Sequence, residues 1–305
     1  MFDFLKNSKQ TQYFLTTESD LHGKFEVEDL LTVQSIDRAT AKRMQYADTC
    51  LKCIYKKGKI SSLTEFDELN NENIAIPDSL KNLEFKDYPK HEISFLVDEK
   101  GEYQSFLGGK APDNFVSPTS EYIASPFQFL GKLNREELKL NWFPFEDLFL
   151  TYPLFTSITN FLFIDYGNPF APEVIKADQI NIEYPFGEIP FVGEHVYEQK
   201  LIGFKPLADV PTDELSFDYW RLGVAGVPSW VQYPKLPYCP ISNKPMKFVC
   251  QIDCFDRIAT ETSDLQSTSK HFSNASKYMN FWGDGVLYIF IQPETKVVAY
   301  FIQNS

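Results

Sequence analysis

Three groups of residues have the types and spacing that chemistry asks for. Cys50 and Cys53 form a Cys-x-x-Cys pair. At a helix N-terminus such a pair has a lowered thiol pKa and supports dithiol redox chemistry. Cys239, Cys250, Cys254 and His271 gather sulfur and nitrogen donors in the C-terminal third, and a structural zinc needs four such ligands, usually as paired short spacings. Asp253 and Asp284 stand close to tryptophan-bearing segments, where two carboxylates sharing a cleft could divide acid and base roles.

Each group has a plainer reading, and the plainer reading fits better. The periodicity predicts a helix over Ile36–Lys57, capped by Ser35, with Ile36, Met44, Ala47, Leu51 and Ile54 on one face and Gly58 past its end. The cysteine pair falls near the end of that helix, the wrong place to stabilise a thiolate, and Cys50 joins its apolar stripe. The segment VCQIDCF reads as a strand, in which Cys250 packs as a small hydrophobe. There is no G-x-S-x-G elbow, H-E-x-x-H, Walker A or G-x-G-x-x-G run, and His22, His91, His195 and His271 are scattered. No catalytic residue, metal site or cofactor is therefore expected.

Composition narrows the class. The chain has 305 residues, a net charge of −13 and a pI near 4.8. Affinity for phosphates comes from lysine and arginine displacing counterions, so nucleic acid is not an expected partner. An anionic membrane surface is disfavoured for the same reason. The N-terminal residues lack a secretory h-region, and the uncharged stretch Leu148–Ile164 is interrupted by Pro153 and polar residues. A cytoplasmic chain with reduced thiols follows, and its charge would steer it toward a basic protein.

The elements that must position these residues change character along the chain. Residues 1–90 read as a short helical region, with a second helix from the capping box Ser62–Glu65. From about residue 91, short apolar runs separated by Pro and Gly read as strands; Asn134–Leu140 and Leu265–Asn280 are the helical exceptions. A Gly-x-Pro turn followed by two aromatic strands occurs twice: Gly108–Pro112, Phe127–Leu133 and Phe161–Asp165, then Gly226–Pro228, Met246–Ile252 and Val286–Phe290. In the second copy, Phe248, Cys250 and Ile252 alternate with Val249, Gln251 and Asp253, and so face opposite ways.

The second copy carries a resemblance. Gly226-x-Pro228-x-Trp230-Val231-Gln232, Cys239-Pro240 with Lys244-Pro245-Met246-x-Phe248, Gln251-Ile252-Asp253 and Trp282-Gly283-Asp284-Gly285-x-Leu287-Tyr288-x-Phe290 resemble the YwqG-like family of bacterial proteins. More distantly they are similar to programmed cell death protein 2 and its relatives. The first resemblance implies a duplicated β-rich fold and brings no activity. The second implies binding or chaperone-like roles. Many relatives hold a second cysteine after Cys-Pro; Ser242 stands there in this chain.

The expected fold is α+β and mainly antiparallel β: a helical region at 1–90, then one β-rich domain at 91–305 built of two tandem repeats, about 91–210 and 211–305. The expected function is protein interaction, as an adaptor, chaperone-like factor or immunity-type protein. The alternative is a hydrolase or transferase using acidic residues in a cleft between the repeats. The candidate contact residues are Trp230, Gln251, Asp253, Trp282 and Asp284, with Trp220 as a further aromatic in the same module.

Overall fold

The computed structural model describes residues 10–16, 35–36, 41, 49–65, 73–76, 91–96, 103–123, 125–183, 195–206, 221–232, 235–253, 257–263, 277–282 and 285–304. Nearly all regular structure in them is antiparallel β.

The N-terminal part is a sheet where the sequence pattern pointed to helices. Strands β1 (Gln10–Thr16), β2 (Ser35–Ile36), β3 (Thr49–Lys56), β4 (Lys59–Glu65) and β5 (Asn73–Ile74) form a five-stranded sheet in the order β2-β1-β3-β4-β5. The expected helix over 36–57 is corrected over its second half, which is β3, and its shorter successor at Ser62 is corrected at β4; Ala41 is helical, and 37–40 and 42–48 lie outside the described residues. Leu51, Cys53 and Tyr55 are buried while Lys52, Ile54 and Lys56 are not, a period of two that tertiary burial rewards. Lys57 and Gly58 close the hairpin with φ of 55° and 76°. Two consecutive positive values mark a type I′ turn, whose twist matches that of paired strands. Gly58 is thus the hairpin's turn glycine and not a helix terminator.

The remaining strands are β6 (His91–Phe95), β7 (Phe106–Gly109), β8 (Gln128–Asn134), β9 (Asp147–Tyr152), β10 (Ser157–Ile158), β11 (Leu162–Asp165), β12 (Glu173–Ile175), β13 (Ile182–Glu183), β14 (His195–Pro206), β15 (Arg221–Ala225), β16 (Lys247–Ile252), β17 (Thr260–Ser263), β18 (Val286–Gln292) and β19 (Val297–Gln303). Apart from the small β10–β13 pair they form one twelve-stranded sheet, ordered β12-β11-β19-β18-β16-β15-β6-β14-β7-β8-β9, with β17 attached to β14. One short helix, α1 (Arg135–Leu138), follows β8; the Asn134 side chain caps it by accepting from Glu136 N–H at 3.0 Å. This is the helix expected near Asn134, whereas most of Leu265–Asn280 lies outside the described residues.

The sheet curls until its ends approach. Tyr166, just past β11, donates its hydroxyl to the Phe149 carbonyl on β9 at 2.8 Å. The Tyr300 hydroxyl on β19 is 2.9 Å away; since the Tyr166 proton is already committed, Tyr300 is the donor of that pair. Inside the curl lies the larger core, including Leu148, Leu150, Tyr152, Ile164, Cys250, Leu287, Ile289 and Tyr300. A second cluster covers the outer face of β16, β18 and β19, with Trp230 at its centre. Ala41 and Tyr13 join this outer cluster, so the N-terminal sheet packs on it.

Two of the ladder irregularities redirect core side chains. In the β8–β9 ladder the register skips between Phe129 and Gly131, and in β16–β18 between Phe248 and Cys250. Each skip is a β-bulge, which leaves one residue unpaired and turns the strand. Leu130 and Val249 are the extra residues, and both point into the inner core. The bulge corrects the strict alternation read from the sequence: Phe248 faces outward, while Val249, Cys250 and Ile252 all face inward.

Candidate functional site

The segment after β15 is the motif Gly226–Gln232, and it runs back across the outer face of the strands that follow it. Gly226 has φ of 87°, a left-handed conformation that glycine adopts at no steric cost. Its N–H donates to the Val249 carbonyl at 3.0 Å. Trp230 is only 1% exposed, and its ring stacks on Tyr288 at 5.0 Å and 13°. Phe290 and Phe301 lie at 6.1 and 6.2 Å, also stacked. Trp230 is therefore the cap of an aromatic layer, shielded from solvent.

Three neighbouring strands hold this segment by its backbone. Gln251 on β16 accepts from Ser229 N–H at 2.6 Å and donates from Nε2 to the Ser229 carbonyl at 2.8 Å. Tyr288 on β18 donates to that carbonyl at 3.0 Å and accepts from Val231 N–H at 2.9 Å. Gln303 on β19 accepts from Gln232 N–H at 3.3 Å. Such bonds satisfy backbone groups of an irregular segment that no ladder can serve.

The other candidates fall in different settings. Asp253 follows β16; its N–H donates to the Leu222 carbonyl at 2.6 Å, and its carboxylate pairs with Arg257 at 3.2 Å. Trp282 adopts φ of 62°, and its buried Nε1–H has no hydrogen-bond partner among the described residues. Asp284 and Trp220 lie outside the described residues. The structure thus brings Trp230 and Gln251 together and leaves Asp253 in a separate ion pair.

The thiols are sealed. Cys53 is buried on β3, and burial pushes its pKa up to about 12. Cys250 is buried in the inner core and is shifted upward for the same reason. Burial also raises Cys239, but hydrogen bonds from the side chains of Ser242 and Thr295 and from the backbone of Ser242 and Ile241 outweigh it, leaving that thiol below its ordinary value. Among the described residues no group of three or more His, Cys, Asp or Glu could hold a metal. Cys254 and His271 lie outside them.

A second aromatic face lies across strands and loops that are distant in sequence. On the outer side of β8 and β9, Phe115, Phe129 and Phe149 contact one another edge to face or tilted at 5.7, 5.8 and 6.4 Å. Phe170, in the β11–β12 loop, sits 5.2 Å from Phe149 and is 37% exposed. Val116 donates its N–H to the Phe170 carbonyl at 2.7 Å and is 62% exposed. Tyr122 is 48% exposed on the loop that carries Phe115, where Glu121 above all, and more weakly Asp178, raises its phenol pKa. The only advance signal was the density of phenylalanine in runs that alternate poorly. No helix among the described residues is long and apolar enough to cross a membrane.

No family model matches the chain, and no curated protein or solved structure matches it either.

Proposed function

We propose that the chain is a protein-interaction module and that its contact surface is the ridge where Val116 and Phe170 lie open over the buried Phe129 and Phe149, with Phe115 half-buried between them. One comparison within the molecule carries this reading. The two halves present aromatic layers on equivalent outer faces, Phe129 and Phe149 in one and Phe248 and Tyr288 in the other. The second layer is covered by Trp230, Ala41 and Tyr13. In the first, Val116 and Phe170 remain open to solvent. A contiguous exposed apolar surface is a common mark of an interface, and aromatic anchors dominate such contacts.

The tandem-repeat organisation, about 91–210 and 211–305, belongs to the same proposal and is supported by the matched bulges at Leu130 and Val249. So do a cytoplasmic setting and the YwqG-like resemblance, which both rest on the sequence. The test is affinity recovery from extracts of the source organism, comparing the wild-type chain with V116D/F170D.

A further inference from the structure

We propose that the ridge is occupied by a basic segment of another protein, one that sets lysine or arginine beside apolar anchors. This rests on the reading of the ridge as a contact surface and adds the chemistry of what binds there.

A pair of carboxylates stands at the foot of the loop that carries Phe170. Asp165 on β11 and Glu173 on β12 are directly opposite in an antiparallel register. Side chains so placed share one face of the sheet, and like charges in that position are destabilising. Asp165 has a local partner, accepting from Gly167 N–H at 2.7 Å. Neither carboxylate takes part in an ion pair among the described residues. The pair sets two negative charges on one face at the edge of the sheet, where an incoming cation can meet both.

The neighbouring surface suits a cation in a second way. Phenylalanine faces carry negative electrostatic potential and attract ammonium and guanidinium groups. This chain already uses that attraction: Lys132 sits 5.9 Å over Phe106, and Lys235 sits 5.0 Å over Phe161 and 5.6 Å over Phe301. Asp113 is exposed on the loop that carries Phe115 and Val116, which also holds Lys110, while Lys176 follows β12. A second copy of the chain would bring another net charge of −13 and is disfavoured as the occupant.

The test is selection of a phage-displayed library of random peptides on the full wild-type chain, with counter-selection on V116D/F170D. The expected result is ridge-dependent clones that combine net positive charge with apolar residues. Those clones should bind D165N/E173Q about three- to tenfold more weakly and with a shallower salt dependence, as rim charges do at interfaces. Ridge-dependent clones of neutral or acidic charge, or clones indifferent to D165N/E173Q, would overturn the basic occupant and leave the contact surface standing. Failure to obtain any ridge-dependent clone would count against both. Thermal melts of each variant accompany the selection, and V116S/F170S replaces the aspartate pair if that pair does not fold.

Discussion

Gln251 holds the peptide of Ser229 at both ends, accepting from its N–H at 2.6 Å and donating to its carbonyl at 2.8 Å. The side chain is buried, so a leucine of similar size would take the acceptor from the Ser229 N–H and leave the Ser229 carbonyl with Tyr288 as its donor. An unsatisfied buried polar group costs about 1–3 kcal/mol. Q251L should therefore lower unfolding free energy by about that amount in denaturant titrations. Y288F, which removes one donor and one acceptor, leaves the Ser229 carbonyl with Gln251 and takes the acceptor from the Val231 N–H, so it should cost a similar amount.

Trp230 should behave as a core residue. Truncating a buried large aromatic leaves a cavity and costs about 3–5 kcal/mol. W230A should be destabilised on that scale, and W230F should recover much of the loss, because the stack on Tyr288 needs a ring more than an indole. Stability of W230A equal to wild type would contradict the packing described.

The pH dependence of stability should carry a histidine term from His91. This residue is buried at the start of β6, and burial, followed by the charge of Lys139, lowers its pKa below the ordinary 6.5. The unfolded chain then takes up the proton first as pH falls. The contribution to stability is complete above about pH 6.5 and is lost as pH drops toward the lower folded value. Denaturant titrations between pH 5 and 8, about the range over which histidine changes charge, should show this fall in wild type and a flatter profile in H91N.

Thiol labelling should report the sealed cysteines. The Cys53 pKa near 12 and the upward shift at Cys250 keep both as neutral, buried thiols. With an alkylating reagent at neutral pH, modification of these two sites should proceed only at the rate of opening, and become fast in denaturant. Mass spectrometry of tryptic peptides would separate them. By linkage, Cys53 also favours the folded state fully below its ordinary value of 9.0, and that contribution fades as pH rises toward 12.

The C-terminal strands were legible because their apolar runs are bounded by clear turn residues. Gly226 marked a real bend, with φ of 87°, and Val286–Gln292 pairs with Val297–Gln303 along its whole length. The N-terminal part misled for a physical reason. Leu51 and Ile54 satisfy a helical spacing, while Leu51, Cys53 and Tyr55 satisfy a strand spacing, and only pairing with β1 and β4 decides between them. Neither bulge has a local signature, so the outward turn of Phe248 could not be read from alternation. The clamp on Ser229 needed knowledge of which face the preceding segment crosses. The ridge joins residues from β8, β9 and two separate loops, and no window along the sequence contains them together.

The interaction reading is tested most directly by the proteins that the chain recovers from extracts of its source. Wild type should retain at least one protein in stoichiometric amount. V116D/F170D should lose it with an unchanged melting temperature, and a control pair at another exposed site, Y238D/I241D, should keep it. Recovery of the same protein in equal amount by V116D/F170D would contradict the assignment of the ridge, and recovery of none by wild type would contradict the interaction function itself.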